Sequence, residues 1–137
     1  MSRGSAALRV LVADDARAVA ERIAGLVLDS GSQVSLIGPA FDGSEALTLF
    51  ERERPDLALI DLHMPGLDGL QLTRSIRKAD EHCRVVVLTS HLEPVVREEC
   101  LAAGAECVLD KVRELGRLEL LLREEVERRS RASGEPV

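Results

Sequence analysis

Polar side chains follow four apolar runs of the sequence, at the point where each run ends. Asp14 and Asp15 follow LRVLVA, and Asp61 follows LALI. Thr89 follows RVVVL, and Lys111 comes shortly after ECVL. If these runs are parallel strands, their carboxyl ends meet at one edge of a sheet, where such sheets bind ligands. The sequence therefore predicts three carboxylates, a hydroxyl and an ammonium at one place.

These groups suit a single chemistry. Crowded carboxylates repel one another and favour a hard divalent cation with oxygen ligands, such as Mg²⁺. A carboxylate can also act as a nucleophile and form an aspartyl phosphate, while a hydroxyl and an ammonium hold the phosphoryl oxygens. Taken singly, each residue could be a helix cap, a turn residue or a surface lysine. Their joint placement at successive strand ends favours phosphoryl transfer to a carboxylate.

Patterns typical of strands and of helices alternate along the chain. Near-continuous aliphatic strands are typical of a parallel sheet covered on both faces. With right-handed crossovers, the pattern predicts a doubly wound α/β fold of five βα units. The expected strands are Leu8 to Ala13, Val34 to Ala40, Leu57 to Ile60, Arg84 to Leu88 and Glu106 to Leu109.

The helix ends are marked by capping residues. Gly31 and Gly104 are typical of helix stops, and Pro94 of a first helical turn. Capping boxes are expected at Asp42 with Glu45 and at Asp68 with Gln71. The last helix is predicted to begin at Arg113 or Glu114 and to run to about Arg129. We expect residues 1–7 to form an N-terminal extension, residues 8–129 one domain, and residues 130–137 a polar tail.

Composition narrows the class of protein. The chain has 137 residues, 45% of them hydrophobic, and a formal net charge of -6. This balance predicts one soluble domain and argues against direct nucleic-acid binding or a polybasic membrane anchor. No apolar run is long enough to insert into a membrane and no secretory signal is visible, so we expect a cytoplasmic protein. Three dispersed cysteines without a CxxC pair argue against disulfides or zinc.

Four segments resemble the receiver domain of two-component response regulators: LRVLVADD, PDLALIDLHMPGLDGL, VVVLTS and AGAECVLDK. The resemblance covers residues 8 to about 125, and its most specific part is D-x-x-M-P-G-x-D-G, from Asp61 to Gly69. It implies a flavodoxin-like fold with strand order 2-1-3-4-5. It also suggests a stand-alone receiver, similar to a chemotaxis regulator, with no output domain.

The resemblance implies roles for the residues at the sheet edge. Asp61 would accept the phosphoryl group, and Thr89 and Lys111 would contact it. Mg²⁺ or Mn²⁺ would be held by Asp14, Asp15, Asp61 and the backbone carbonyl of His63. The chain would not be an enzyme beyond its own phosphorylation and autodephosphorylation.

The resemblance also implies partners. The donor would be a sensor histidine kinase or a histidine phosphotransfer protein. Output would pass to a downstream protein target or along a phosphorelay, with phosphorylation-dependent homodimerisation as a further route. A phosphorylation-independent receiver that acts as a partner-binding adaptor is the main alternative.

Two positions depart from the receiver pattern. Many receivers carry proline after the active-site lysine, often with a cis bond, whereas Val112 follows Lys111 here. A cis bond before a non-proline residue costs about 3 kcal/mol, so we expect a trans bond or a different local loop. Many receivers also carry an aromatic residue three positions before the lysine, where this chain has Val108. Signal transmission through an inward-rotating aromatic ring is therefore in question.

Other features leave alternatives open. His63 and His91 could tune autodephosphorylation near neutral pH, or they could simply face solvent. In the last helix, Leu115, Leu118 and Leu122 fit one core stripe, while Leu120 lies off it and could meet a partner or a second copy.

Two other functions fit the sequence less well. A phosphatase with an aspartyl-phosphate intermediate usually has a second aspartate two residues after the nucleophile, where this chain has His63. A nucleotide- or flavin-binding domain would need a glycine-rich loop after the first strand, where this chain has Asp14 and Asp15.

Overall fold

Strands and helices alternate throughout the part of the chain that the computed structural model describes, residues 7–133. The five strands form one parallel sheet in the order β2-β1-β3-β4-β5. The predicted flavodoxin-like doubly wound fold is therefore confirmed. The elements are β1 (Leu8–Ala13), α1 (Arg17–Asp29), β2 (Val34–Ala40), α2 (Gly43–Glu53), β3 (Leu57–Asp61), α3 (Gly69–Ala79), β4 (Arg84–Thr89), α4 (Pro94–Ala103), β5 (Cys107–Asp110) and α5 (Arg117–Ser133).

Apolar side chains cover both faces of the sheet. On β1, Leu11 packs in a layer with Phe50 of α2 and with residues of α3 and α4, while Val10 packs with residues of α1 and α5. All three of these side chains are fully buried. Burial of each side chain of this size stabilises the fold by about 1.5–3 kcal/mol. The nearly continuous aliphatic runs are thus explained by a sheet that is buried on both faces.

The helix boundaries agree with most of the predicted caps. Gly31 and Gly104 both have a positive φ, 102° and 114°, which glycine adopts without steric cost. Pro94 begins α4. At α3, Asp68 and Gln71 form the complete capping box. At α2, Asp42 caps the backbone of Glu45, but the Glu45 side chain accepts from the N–H of Phe41 instead.

The predicted bounds of the last helix are wrong at both ends. Residues 111–116 form turns, so α5 begins at Arg117 and not at Arg113 or Glu114. The helix also continues past Arg129 to Ser133, and Ser130 is buried, so the predicted polar tail does not begin at residue 130. Residues 1–6 and 134–137 lie outside the described residues. The predicted fifth strand is displaced by one residue, to Cys107–Asp110.

The three cysteines are free thiols, and Cys83 and Cys100 are buried. Burial raises the pKa of the Cys83 thiol to about 12 and also raises the pKa of Cys100 and Cys107. A raised pKa keeps a thiol protonated and unreactive, which agrees with a structural role.

No helix among residues 7–133 has both the length and the apolar character needed to cross a bilayer.

Candidate functional site

Two buried carboxylates lie at the carboxyl ends of neighbouring strands. Asp14 follows β1 and is completely buried, and Asp61 ends β3 with 5% of its surface exposed. The backbone holds Asp14 firmly, because its N–H donates to the carbonyl of Ala40 over 3.0 Å and its Oδ1 accepts from the N–H of Ala16 over 2.9 Å. Asp15 follows in the chain and is exposed.

Lys111 joins these two carboxylates. Its Nζ donates to Asp14 Oδ2 over 2.8 Å and to Asp61 Oδ1 over 3.0 Å. The side chain comes from the loop after β5 and is itself mostly buried, with 13% exposed. One ammonium therefore faces two buried carboxylates, with the third carboxylate, Asp15, close by. The structure brings together four of the five residues that the sequence predicted.

The electrostatics of the site reflect this imbalance. Burial raises the pKa of Asp61 from 3.8 to about 6; the hydrogen bond from Lys111 acts against the rise, and the charge of Asp14 adds to it. Burial alone would lower the pKa of Lys111, but its hydrogen bonds to Asp14 and Asp61 outweigh burial and raise that pKa. Lys111 thus stays protonated, while ionised Asp61 remains short of positive charge.

A divalent cation fits this deficit. Oxygen atoms of Asp14, Asp15 and Asp61 lie within 4.8 Å of one another, a spacing that lets one ion contact all three. Carboxylate oxygens are the ligands that Mg²⁺ prefers, and an additional positive charge would relieve the repulsion among them. His63 is exposed just after β3, and the role predicted for its backbone carbonyl stays a prediction.

Thr89 ends β4 beside Asp61 but makes no hydrogen bond to it in this structure. Its side chain is completely buried, and its Oγ1 accepts from the N–H of His91 over 3.2 Å. Its backbone carbonyl accepts from the N–H of Lys111 over 2.8 Å. Thr89 is thus linked to the lysine through the main chain, and its predicted contact with a phosphoryl group stays a prediction.

The loop after Asp61 is packed too closely for side chains at two points. A Cβ at Gly69 would lie 2.3 Å from the carbonyl oxygen of Asp61, and one at Gly43 would lie 1.7 Å from the carbonyl oxygen of Leu67. Gly66 has a φ of 74°. The receiver-like motif from Asp61 to Gly69 contains Gly66 and Gly69, but the close contact of Gly43 was missed, because its partner Leu67 is distant in the chain.

The loop after Lys111 is held by a residue that the sequence did not single out. Asp110 Oδ1 accepts from the N–H groups of Val112 and Arg113 over 2.8 and 3.0 Å, and Glu114 Oε1 accepts from the N–H of Asp110 over 3.0 Å. Within residues 7–133 the one cis bond precedes Pro39, so Lys111–Val112 is trans, as expected. A turn in which the side chains of Asp110 and Glu114 both accept from backbone N–H groups therefore occupies the place where many receivers carry proline.

The remaining positions of interest divide by burial. Val108 is 1% exposed and packs in the core layer that includes Cys100 of α4. His63 and His91 are both exposed, and their influence on autodephosphorylation stays a prediction. The predicted stripe is buried: Leu115 lies in the turn before α5, and Leu118 and Leu122 lie in the helix, where Leu120 is 51% exposed.

Sequence comparison identifies related proteins. The pattern of the family described as "Response regulator receiver domain" matches residues 10–123. The probable transcriptional regulatory protein NarL of Mycobacterium tuberculosis is 38% identical over 98 residues, 72% of this chain and 45% of that protein. Response regulator MprA of Mycolicibacterium vanbaalenii is 39% identical over 104 residues, 76% of this chain and 44% of that protein. The chain thus spans less than half the length of these relatives.

Structural comparison agrees. The receiver domain of the NarL regulator of M. tuberculosis superposes with a TM-score of 0.79 at 30% identity, covering 89% of this chain and 98% of that one. The receiver domain of Francisella response regulator 1452 gives a TM-score of 0.78 at 30% identity, covering 88% and 97%. A CheY-like receiver protein from Methanospirillum hungatei, at 22% identity and a TM-score of 0.79, shares the fold.

Proposed function

The chain belongs to the response regulator receiver domain family, and from this premise we propose that it accepts a phosphoryl group on Asp61 from a histidine kinase or a histidine phosphotransfer protein. Family membership supports a phosphodonor of this kind and a place in a cytoplasmic two-component system. The roles of the individual residues and the downstream partner are part of the proposal.

The observation that carries the proposal is the double hydrogen bond of Lys111. Its Nζ lies 2.8 Å from Asp14 Oδ2 and 3.0 Å from Asp61 Oδ1, and these two carboxylates belong to a cluster of three. A structural salt bridge would need one carboxylate, and three in one place are costly unless cations gather there. Such a cluster is suited to receive a group that brings phosphoryl oxygens and a cation together.

The proposed transfer is a displacement at phosphorus. A carboxylate oxygen of Asp61 forms a bond to the phosphorus, the P–N bond of the donor's phosphohistidine breaks, and the imidazole nitrogen leaves with the electron pair. Lys111 then pairs with a phosphoryl oxygen, and the Thr89 hydroxyl donates to another. Autodephosphorylation returns the carboxylate and inorganic phosphate when water attacks the phosphorus.

We propose that Asp14, Asp15, Asp61 and the backbone carbonyl of His63 hold Mg²⁺ or Mn²⁺. The ion, when bound, neutralises charge that builds up among the carboxylates and phosphoryl oxygens. The exposed position of Asp15, beside two buried carboxylates, leaves one side of the cluster open for it.

Output is proposed to pass through protein contacts. Exposed apolar side chains such as Leu120 of α5 are candidates for contact with a downstream target or with a second copy of the chain. Because Val108 is an aliphatic core residue, we propose that phosphorylation is transmitted through backbone links such as that between Thr89 and Lys111, without rotation of an aromatic ring.

The test is phosphorylation by a small donor. The protein is incubated with acetyl phosphate and Mg²⁺, and its mass and oligomeric state are measured. A mass gain of one phosphoryl group is expected in the wild type. It should be absent in Asp61→Asn and after chelation of the metal. Asp29→Asn, which removes an exposed carboxylate at the end of α1, is the matched control and should be phosphorylated normally.

The outcome separates the proposal from its alternative. A wild type that gains no mass with any donor, yet binds a protein partner, would be a phosphorylation-independent adaptor. A mass gain that persists in Asp61→Asn would move the acceptor to another residue. Dimerisation of the phosphorylated form alone would support a switch driven by homodimerisation.

A further inference from the structure

An arginine lies at the same edge of the sheet as the carboxylates and is held by an aromatic ring. Arg17 begins α1, two residues after Asp15. Its guanidinium carbon lies 4.0 Å from the centroid of the Phe41 ring, which is cation–π distance. Phe41 directly follows β2, so both partners lie at the carboxyl ends of the strands.

Hydrogen bonds fix the backbone around Phe41. The N–H of Phe41 donates to Glu45 Oε1 over 2.8 Å, which holds the segment after β2 against the first turn of α2. One residue earlier, the carbonyl of Ala40 accepts from the N–H of Asp14. Phe41 and Asp14 are therefore joined through consecutive backbone positions, and the guanidinium lies at the same edge of the sheet as the carboxylates.

The charge of Arg17 is not neutralised by a carboxylate in the part of the chain that the structure describes. It forms no ion pair with any residue in the described range 7–133, although the carboxylates of Asp15, Asp42 and Glu45 belong to the same edge. A cation in the first turn of a helix is also disfavoured by the helix dipole. Lys111, in contrast, is committed to two buried carboxylates. Arg17 thus keeps an exposed positive charge where it contributes little to stability.

We infer that Arg17, held by Phe41, is a positioning residue that attracts the doubly charged phosphoryl group of a donor toward Asp61. This inference rests on the proposed function. A phosphoryl dianion approaching three carboxylates is repelled, and an exposed guanidinium at the rim offsets part of that repulsion. The contribution of Arg17 should therefore grow with the negative charge of the donor and decline with ionic strength.

Two small donors of different charge test the inference. With acetyl phosphate, a dianion, an oxygen of Asp61 bonds to phosphorus, the P–O bond breaks and acetate leaves with the electron pair. With phosphoramidate, which carries one net negative charge near neutral pH, the P–N bond breaks and ammonia leaves, its nitrogen having taken a proton from solvent. Second-order rate constants for both donors are measured with Mg²⁺ at low and high salt.

Charge removal should act selectively. Arg17→Ala is expected to slow phosphorylation by acetyl phosphate about 3- to 10-fold at low salt, less with phosphoramidate, and little at high salt. Arg17→Lys should retain most of the rate, because it keeps the charge. Phe41→Leu should lose part of it, because the ring no longer holds the guanidinium. Arg52→Ala, near the end of α2 at the opposite edge of the sheet, is the matched control and should match the wild type.

The contrary results are specific. If Arg17→Ala slowed phosphorylation by both donors equally at every salt concentration, the cause would be a structural defect, which would overturn the inference. An equal effect of Arg52→Ala would show that net charge alone matters, which also overturns it. Failure of the wild type to react with either donor would instead remove the proposed function.

Discussion

At the scale of single residues, the excess of negative charge around Asp61 is the dominant feature. Asp14 and Asp61 are buried, Asp15 adds a third carboxylate, and Lys111 supplies one positive charge. Burial of an ionised carboxylate costs free energy unless a cation compensates for it. The arrangement therefore costs the fold some stability, which a bound cation would restore.

Neutralising Asp61 should stabilise the metal-free protein. Asp61→Asn keeps an oxygen that can accept from Lys111 but removes one charge, so the free energy of unfolding in chelator is expected to rise by up to about 3 kcal/mol. Mg²⁺ should stabilise the wild type, by about 2.7 kcal/mol at a hundredfold excess over its Kd, and Asp61→Asn much less. Urea unfolding with and without Mg²⁺ measures both effects. Asp15→Asn removes an exposed charge and should give a smaller gain in chelator; an equal gain would argue against burial as the cause.

Alanine should have opposite effects at Gly43, which packs against the Asp61 loop, and at Gly25, which lies in α1. Gly43→Ala would place its Cβ 1.7 Å from the Leu67 carbonyl oxygen, so we expect a loss of about 1–3 kcal/mol in the free energy of unfolding. Gly25→Ala in α1 meets no atom within 4 Å and should stabilise by about 0.5–1 kcal/mol. Thermal unfolding of both variants is the measurement, and a stable Gly43→Ala would show that the loop can move away.

At the scale of elements, the segment between β5 and α5 decides how Lys111 is presented. Asp110 and Glu114 close a turn through hydrogen bonds from backbone N–H groups to their side chains, and α5 begins only at Arg117. The sequence placed the start of the helix too early because Leu115 and Leu118 keep helical spacing across this turn. The spacing of apolar residues reports which face is buried, but it does not report where a separate turn ends.

Loss of this turn should disturb the lysine. Asp110→Ala removes the acceptor for the N–H groups of Val112 and Arg113, so we expect phosphorylation by acetyl phosphate to slow by about 3- to 10-fold through misplacement of Lys111. Asp110→Asn retains an acceptor oxygen and should restore most of the rate. Asp29→Ala, at the end of α1, serves as control. A fully active Asp110→Ala would mean that the sheet alone positions Lys111.

At the scale of the whole molecule, a second charge cluster lies at the amino edge of the sheet. Glu125 of α5 is 5% exposed, with Arg84 Nε 3.4 Å and Arg128 3.5 Å from its carboxylate oxygens. Nearby, Arg129 pairs with Asp56 over 3.1 Å. These pairs fasten the second half of α5 to the start of β4 and to the residue before β3, at the edge opposite the site.

Glu125 predicts a pH dependence of stability. Burial raises its pKa above 4.5, although Arg84 opposes the rise, so the ionised form is less favourable in the folded state. Its contribution to stability is present below pH 4.5 and is lost as the pH rises through the raised folded pKa. Glu125→Gln should therefore equal or exceed the wild type at neutral pH, by up to about 1 kcal/mol, and lose this advantage in acid. Urea unfolding across this pH range is the measurement, with exposed Glu119→Gln as control. A destabilised Glu125→Gln at neutral pH would mean that the ion pairs dominate.

More of the fold than of the site could be predicted from the sequence. The bounds of β1 and β2 were predicted to the residue. At β1 the reason is that a strand buried on both faces leaves a nearly unbroken apolar pattern, whereas β2 is an edge strand with a less regular one. Strand ends also located Asp14, Asp61 and Lys111. The hydrogen bonds of Lys111, the packing of Gly43 and the stacking of Arg17 on Phe41 could not be predicted, because each joins residues that are distant in the chain. Such contacts depend on how helices sit on the sheet, which local patterns do not encode.

The position that replaces the family's proline also has a practical consequence. Val112 is 76% exposed beside Lys111, and the chain contains no tryptophan or tyrosine. Val112→Trp would therefore introduce the sole indole of the protein at the rim of the site, where it buries nothing and competes with no intrinsic fluorophore. Its emission would report donor binding, metal exchange and dephosphorylation in real time. The signal would be free of background, because phenylalanine is the only other fluorescent residue type in the chain.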